Sequence, residues 1–130
     1  MPVLKVIGGE GFLADDICRP VEIVIDGGRI ISCGVVNRHL LVDTALREFS
    51  TSRILPGFID LHIHGLLGRE ACTEKLDEVI RLLPRHGITA FLATSVTMPL
   101  ERLAEHLKAV RVILDDPPVG AQCLGIRIEG

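Results

Sequence analysis

Pro56-Gly57-Phe58-Ile59-Asp60-Leu61-His62-Ile63-His64-Gly65 is the stretch of sequence that decides the fold of this chain. Its apolar and β-branched residues, which follow a Pro-Gly turn, predict a buried strand over 58–63. Because residues two apart on a strand share a face, Asp60, His62 and His64 are expected to project to one side. Two imidazoles on one face can bind a single divalent metal, since neutral imidazole is a preferred ligand of zinc and its neighbours. The alternative is a structural pair that bonds nearby backbone.

The rest of the chain after Pro56 repeats a strand–helix pattern. Apolar spacing predicts helices over 73–83 and 99–114, the first closed by Pro84 and the second with Leu100, Leu103, Leu107, Val110 and Leu114 on one face. Further strands are predicted over 87–93 and 122–128. Strands joined by helical crossovers pair in parallel, so the predicted fold class is α/β. Three strands and two helices cover a parallel sheet only in part, and we expect this to be the front piece of a longer protein.

The first 55 residues have a different character. Residues 21–25 and 29–32 flank Asp26-Gly27-Gly28, which predicts a β-hairpin, and 40–42 and 47–54 are weaker strand candidates. The sequence therefore predicts a β-rich segment over 1–55 and an α/β segment over 56–130.

Glu129 lies at the end of the third predicted strand, as His64 lies at the end of the first. In a parallel sheet those ends meet at one edge, where open α/β sheets and barrels build their sites. Glu129 is therefore a candidate third metal ligand, although an acidic residue there can simply cap a helix. Arg127 shares its predicted face with Glu129 and could repel a cation, pair with Glu129, or bond to Asp60 or a carbonyl.

Other motifs carry less weight. Residues 9–14 match G-x-G-x-x-A but lack the helix that a dinucleotide site needs, and we interpret them as turns. His39, His86 and His106 are interpreted as structural or solvated. Thr94, Ser95 and Thr97 follow the second strand and could touch a ligand, although hydroxyls at that position usually cap helices.

Composition excludes several classes of partner. The net charge is −3, Lys and Arg do not cluster, and aromatic residues make up only 3% of the chain, which argues against nucleic acid. No uncharged apolar run reaches membrane-spanning length, and no signal peptide is evident. Four cysteines without a C-x-x-C pair indicate free thiols in a reducing compartment, so a cytoplasmic protein is expected.

Taken together, these residues resemble a known family. The stretch 56–65 resembles the first barrel strand of the amidohydrolase superfamily. Residues 86–94 and 124–130 are similar to N-acetylglucosamine-6-phosphate deacetylases, whose third strand typically reads Gly-(Ile/Leu)-His-Leu-Glu-Gly-Pro. Arg127 stands where that family usually has histidine. The match covers nearly the whole chain but only the front portion of a full-length member.

The resemblance implies the first three strands of a (β/α)8 TIM-type barrel, preceded by part of a small β-sandwich. It implies that His62, His64 and Glu129 bind a divalent metal, with zinc favoured over iron or another ion. The reaction implied is hydrolysis of N-acetylglucosamine 6-phosphate to glucosamine 6-phosphate and acetate. A general-base aspartate would lie beyond Gly130, so the 130 residues alone are expected to be inactive, and a full-length protein is expected to be a homo-oligomer.

Two alternatives stay open. One keeps the barrel but changes the substrate to a cyclic amide, as in dihydroorotase-like members of the superfamily. The other is a non-catalytic, truncated barrel fragment that binds little metal because Arg127 pairs with Glu129.

Overall fold

The computed structural model describes residues 3–12, 16–36 and 44–129, and its contacts divide the chain into two units, Met1–Pro56 and Gly57–Gly130. The strand candidate at 40–42 and His39 lie outside the described residues.

The first unit is a five-stranded sheet. Its strands are β1 (Val3–Phe12), β2 (Ile17–Cys18), β3 (Val21–Asp26), β4 (Arg29–Val35) and β5 (Thr44–Ile54). The order is β2-β1-β3-β4, with β5 paired in parallel to β1. The predicted hairpin is confirmed, because β3 and β4 pair antiparallel around Gly27 and Gly28, which both have positive φ, as a tight hairpin turn requires. The strand predicted at 47–54 is also confirmed as the greater part of β5.

The interpretation of residues 9–14 as turns is wrong for 9–12, which belong to β1. The glycines there leave room for close neighbours, which are backbone at Gly9 and the side chain of Val21 at Gly11. A Cβ at Gly9 would lie 2.3 Å from the carbonyl oxygen of Ser50 on β5, and the ladder between β1 and β5 shifts register between Gly8 and Glu10. A bulged strand that approaches its neighbour closely therefore explains the glycine pattern.

The second unit is built on a three-stranded parallel sheet. Its strands are β6 (Phe58–Ile63), β9 (Ile88–Thr94) and β10 (Gln122–Arg127), in the order β10-β9-β6. A short hairpin of β7 (Gly65–Leu66) and β8 (Arg69–Glu70) follows β6. The crossovers are α1 (Leu76–Leu82), which continues into a 3-10 turn (Leu83–His86), and α2 (Leu100–Asp115). The predicted α/β fold class and both helices are confirmed.

Several helix details differ from the predictions. The first helix begins at Leu76 rather than 73, because Thr73 Oγ1 accepts the backbone N–H of Lys75 in a preceding turn. Chain reversal is completed at Gly87, whose φ of +79° ends the 3-10 turn after Pro84. Leu100 is 78% exposed at the start of α2 and does not join the apolar face predicted for it.

The core of the second unit lies between the sheet and its two helices. Phe91 and Ala93 of β9 are fully buried in it, as is Val110 of α2. The other buried members are Ala71, Cys72, Leu76, Val79, Ile80, Leu83 and Ala121. The strand predicted over 58–63 is confirmed as β6, but the prediction that it is buried is wrong. Strand β6 lies at the edge of the sheet, and Ile59 is 61% exposed.

Candidate metal centre

The candidate ligands come from the two outer strands of the parallel sheet. His62 lies in β6 and His64 directly follows it, while Glu129 lies two residues beyond the end of β10. Because β6 and β10 both run parallel to β9, their carboxyl ends lie at the same edge of the sheet. The structure therefore brings together all three residues that the sequence nominated as ligands.

A bulge in β6 orients the side chains of His62 and His64. Asp60 pairs with Phe91 of β9, and the next paired residue, Ile63, pairs with Ala93. Between these two pairs β6 advances three residues while β9 advances only two. Asp60 Oδ1 accepts the backbone N–H of His62 at 3.0 Å inside this irregular stretch. The simple alternation expected from sequence therefore does not hold, since Ile63 packs against the core while Leu61 is 59% exposed.

The residues after His64 fix its position. The carbonyl of His64 accepts the N–H of Ala71 at 2.7 Å, and Gly65 has a φ of +154°. A Cβ on Gly65 would lie 1.8 Å from the carbonyl oxygen of Arg69, so only glycine fits this approach of β8. The sequence prediction missed this hairpin, for which Gly68 is a turn signal. In the structure Leu67 and Gly68 both have positive φ.

Glu129 is held by the segment that follows β9. Its backbone N–H donates to Ser95 Oγ at 3.2 Å, and the N–H of Ser95 donates to the carbonyl of Arg127 at 2.9 Å. Ser95 is 1% exposed. The sequence placed Ser95 among hydroxyls that could touch a ligand or cap a helix. However, α2 has Pro99 as its N-cap residue and no side-chain cap.

The ligand atoms of the cluster face one another. The Nε2 atoms of His62 and His64 are 3.2 Å apart. Glu129 Oε1 lies 3.5 Å from His62 Nε2, and Oε2 lies 3.2 Å from His64 Nε2. All three residues offer ligand atoms within 4.8 Å of one another, and their side chains are 39–43% exposed.

These spacings suit a shared divalent cation. Ligands about 2.0–2.2 Å from a tetrahedral zinc lie roughly 3.3–3.6 Å from one another, which is close to the three distances observed. Two imidazoles and one carboxylate also form a ligand set common in catalytic zinc sites, which keep a position open for water or substrate. The partial exposure of the cluster leaves room for such a position.

Arg127 does not compete for Glu129. In the part of the chain that the structure describes, its guanidinium makes no ion pair or hydrogen bond, and the carboxylate of Glu129 faces the two histidines instead. Neither the pairing with Glu129 nor the bond to Asp60 is therefore observed. Leu124 lies at a register shift between Cys123 and Gly125 and is 50% exposed.

The other described histidines stay apart from the cluster. His86 is the last residue of the 3-10 turn. His106 lies on α2 and is half-buried, and its Nδ1 has no hydrogen-bond partner among the described residues.

Several known proteins resemble this chain in sequence and in structure. No family model matches the chain. It is 38% identical over 122 residues to an N-acetylglucosamine-6-phosphate deacetylase of Bacillus subtilis, and 36% identical over 133 residues to one of Bos taurus. These alignments cover 89% and 97% of the chain. The chain is homologous to part of the N-acetylglucosamine-6-phosphate deacetylases. The family resemblance seen in the sequence is confirmed.

The homology is partial in length. The chain spans 31% of both the Bacillus subtilis and the Bos taurus relatives. Among solved structures, it resembles N-acetylglucosamine-6-phosphate deacetylase from Pasteurella multocida with a TM-score of 0.81 and 23% identity, covering 98% of this chain and 34% of that one. This likeness shows that the fold of the chain corresponds to about a third of a deacetylase.

No helix in the described ranges is both long and apolar enough to cross a membrane. All four cysteines are free thiols, as the sequence predicted.

Proposed function

We propose that this chain supplies the metal-binding part of a deacetylase that hydrolyses N-acetylglucosamine 6-phosphate to glucosamine 6-phosphate and acetate. The observation that carries the proposal is the convergence of His62, His64 and Glu129 at the carboxyl edge of a parallel sheet. The named activity of the homologous deacetylases supports the choice of substrate. In this proposal 56–130 is the first part of a (β/α)8 barrel, and 1–55 contributes to a small β-sandwich.

The roles of the residues follow from their chemistry. His62 and His64 would hold the metal through Nε2, and Glu129 would hold it through its carboxylate, which offsets part of the cation's charge. A divalent metal supplies a bound water of lowered pKa and polarises the acetamide carbonyl. Zinc suits two nitrogen ligands and one oxygen ligand, and iron is the alternative. The general base is not assigned to any described residue.

The metal site is tested by titrating the 130-residue chain with Co²⁺, whose visible absorption reports its coordination. We expect one ion per chain, and much weaker binding in Glu129→Gln, which keeps the shape of the side chain but removes its charge. Glu70→Gln is the matched control, because Glu70 is an exposed glutamate of β8 outside the cluster. Equal affinity in Glu129→Gln and the wild type would refute the site.

The substrate is tested on the protein expressed from its natural gene, by measuring acetate release. We expect turnover of N-acetylglucosamine 6-phosphate. Preference for N-acetylgalactosamine 6-phosphate, which a relative 29% identical to this chain is named for, would change the sugar but keep the reaction. Turnover of a cyclic amide alone would reject the deacetylase in favour of the dihydroorotase-like alternative. If the chain binds no Co²⁺ and the protein hydrolyses neither substrate, the alternative of a non-catalytic barrel fragment is favoured.

A further inference from the structure

The buried hydroxyl of Ser95 contacts the strand end that carries Glu129. Strand pairing between β9 and β10 ends at Arg127 opposite Thr94, two residues before Glu129. Beyond that pair, the sheet itself no longer fixes the backbone. Ser95 extends the connection, because its N–H donates to the carbonyl of Arg127 and its Oγ accepts the N–H of Glu129. Two hydrogen bonds from one residue therefore hold the segment that leads to the carboxylate.

The described contacts of Ser95 give it no other structural role. It does not cap α2, whose first turn has no side-chain cap. At 1% exposure it is also too deep to serve solubility, and a buried hydroxyl that loses its partner costs free energy. A similar arrangement occurs at the other outer strand, β6, where Asp60 Oδ1 accepts the N–H of His62. On both strands, a side-chain oxygen binds the backbone N–H of a candidate ligand residue.

We infer that Ser95 is a positioning residue, whose hydroxyl places Glu129 against His62 and His64 and thereby sets the affinity of the cluster for a divalent metal. The inference rests on the proposed metal site. Partners that orient metal ligands typically change affinity 10–100-fold when they are removed.

The variant Ser95→Ala of the 130-residue chain tests this inference, with Co²⁺ affinity as the first measurement. We expect binding about tenfold weaker than in the wild type. Ser95→Thr keeps a hydroxyl and is expected to recover most of the affinity. The matched control is Thr94→Val. Thr94 is equally buried, but among the described residues its hydroxyl bonds only its own strand, at the carbonyl of Leu92. That variant is expected to stay within about twofold of the wild type.

Hydrogen exchange of the Glu129 amide in the metal-free chain is the second measurement. Ser95→Ala should speed this exchange about tenfold and leave the core amides of β9 unchanged, because the variant removes the acceptor of that one N–H. Unchanged exchange at Glu129, or unchanged Co²⁺ affinity in Ser95→Ala, would overturn the inference, as would an equal loss in Thr94→Val. If the wild type binds no Co²⁺, the proposed metal site fails, while the exchange rate still decides whether Ser95 holds Glu129.

Discussion

The two units of the chain bury polar side chains for different reasons. In the first unit, Lys5 and Glu22 are 8% and 4% exposed and form an ion pair of 2.9 Å across the paired strands β1 and β3. In the second unit, the buried polar residues near the sheet edge are Thr94 and Ser95, and Ser95 bonds the backbone beside the metal cluster. Among the described residues, the first unit has few buried aliphatic side chains and its buried polar groups are charged. The second unit has a larger apolar core, and its buried hydroxyls lie beside the candidate metal cluster.

The largest effect is expected from the core of the second unit. Phe91→Ala should lower the free energy of unfolding by about 3–5 kcal/mol, because Phe91 is fully buried and its removal leaves a cavity. Ile59→Ala on the neighbouring strand should cost under about 1 kcal/mol, since Ile59 is 61% exposed. Urea denaturation measures both. A large cost for Ile59→Ala would show that β6 is covered in solution, and the contrast between its exposed face and the core would no longer hold.

The ion pair of the first unit should give a somewhat smaller effect. Glu22→Gln should cost about 3 kcal/mol, because it breaks a buried ion pair by removing one of its two charges. Glu48→Gln is the control, an exposed glutamate on β5 of the same sheet. Amide exchange of β1 and β3 during urea unfolding would localise the loss. A cost below about 1 kcal/mol would mean that water screens the pair, as at a protein surface.

Local patterns predicted most of the elements of the second unit. The apolar stripe of α1 and the proline before α2 are short-range signals, and both helices follow them. The convergence of His64 and Glu129 also followed from sequence, because parallel strands bring their carboxyl ends to one edge. Burial could not be predicted in the same way. The apolar composition of β6 indicates a buried strand, but its exposure depends on which neighbours lie beside it.

What the sequence could not predict depends on contacts between distant residues. The bulge at Asp60 and the bond from Glu129 to Ser95 join positions whose register is set only when β6, β9 and β10 pair. A serine after a strand is statistically a helix cap, and only tertiary structure reveals its partner 34 residues away. The parallel pairing of β1 with β5 has the same cause, since no turn signal links strands so far apart.

The smallest expected effect concerns the hairpin that follows His64. Arg69 of that hairpin bonds Glu78 of α1 and, with Lys75, holds the pKa of the Glu78 carboxyl below its ordinary value of 4.5. A carboxyl with a depressed folded pKa stabilises the protein above its unfolded pKa, and that contribution disappears as pH falls through the folded pKa. We therefore expect Glu78→Gln to be slightly less stable than the wild type at pH 7 and equally stable well below pH 4.

Urea midpoints measured from pH 7 down to pH 3 test this expectation, with Glu105→Gln as the control on an exposed position of α2. The difference between wild type and Glu78→Gln should shrink on acidification, while the control should track the wild type throughout. A difference that stays constant with pH would mean that Glu78 acts by packing rather than by charge. Because the side chains of Arg69 and Glu78 are still 38% and 37% exposed, added salt should also reduce the difference, which separates this pair from the buried Lys5–Glu22 pair of the first unit.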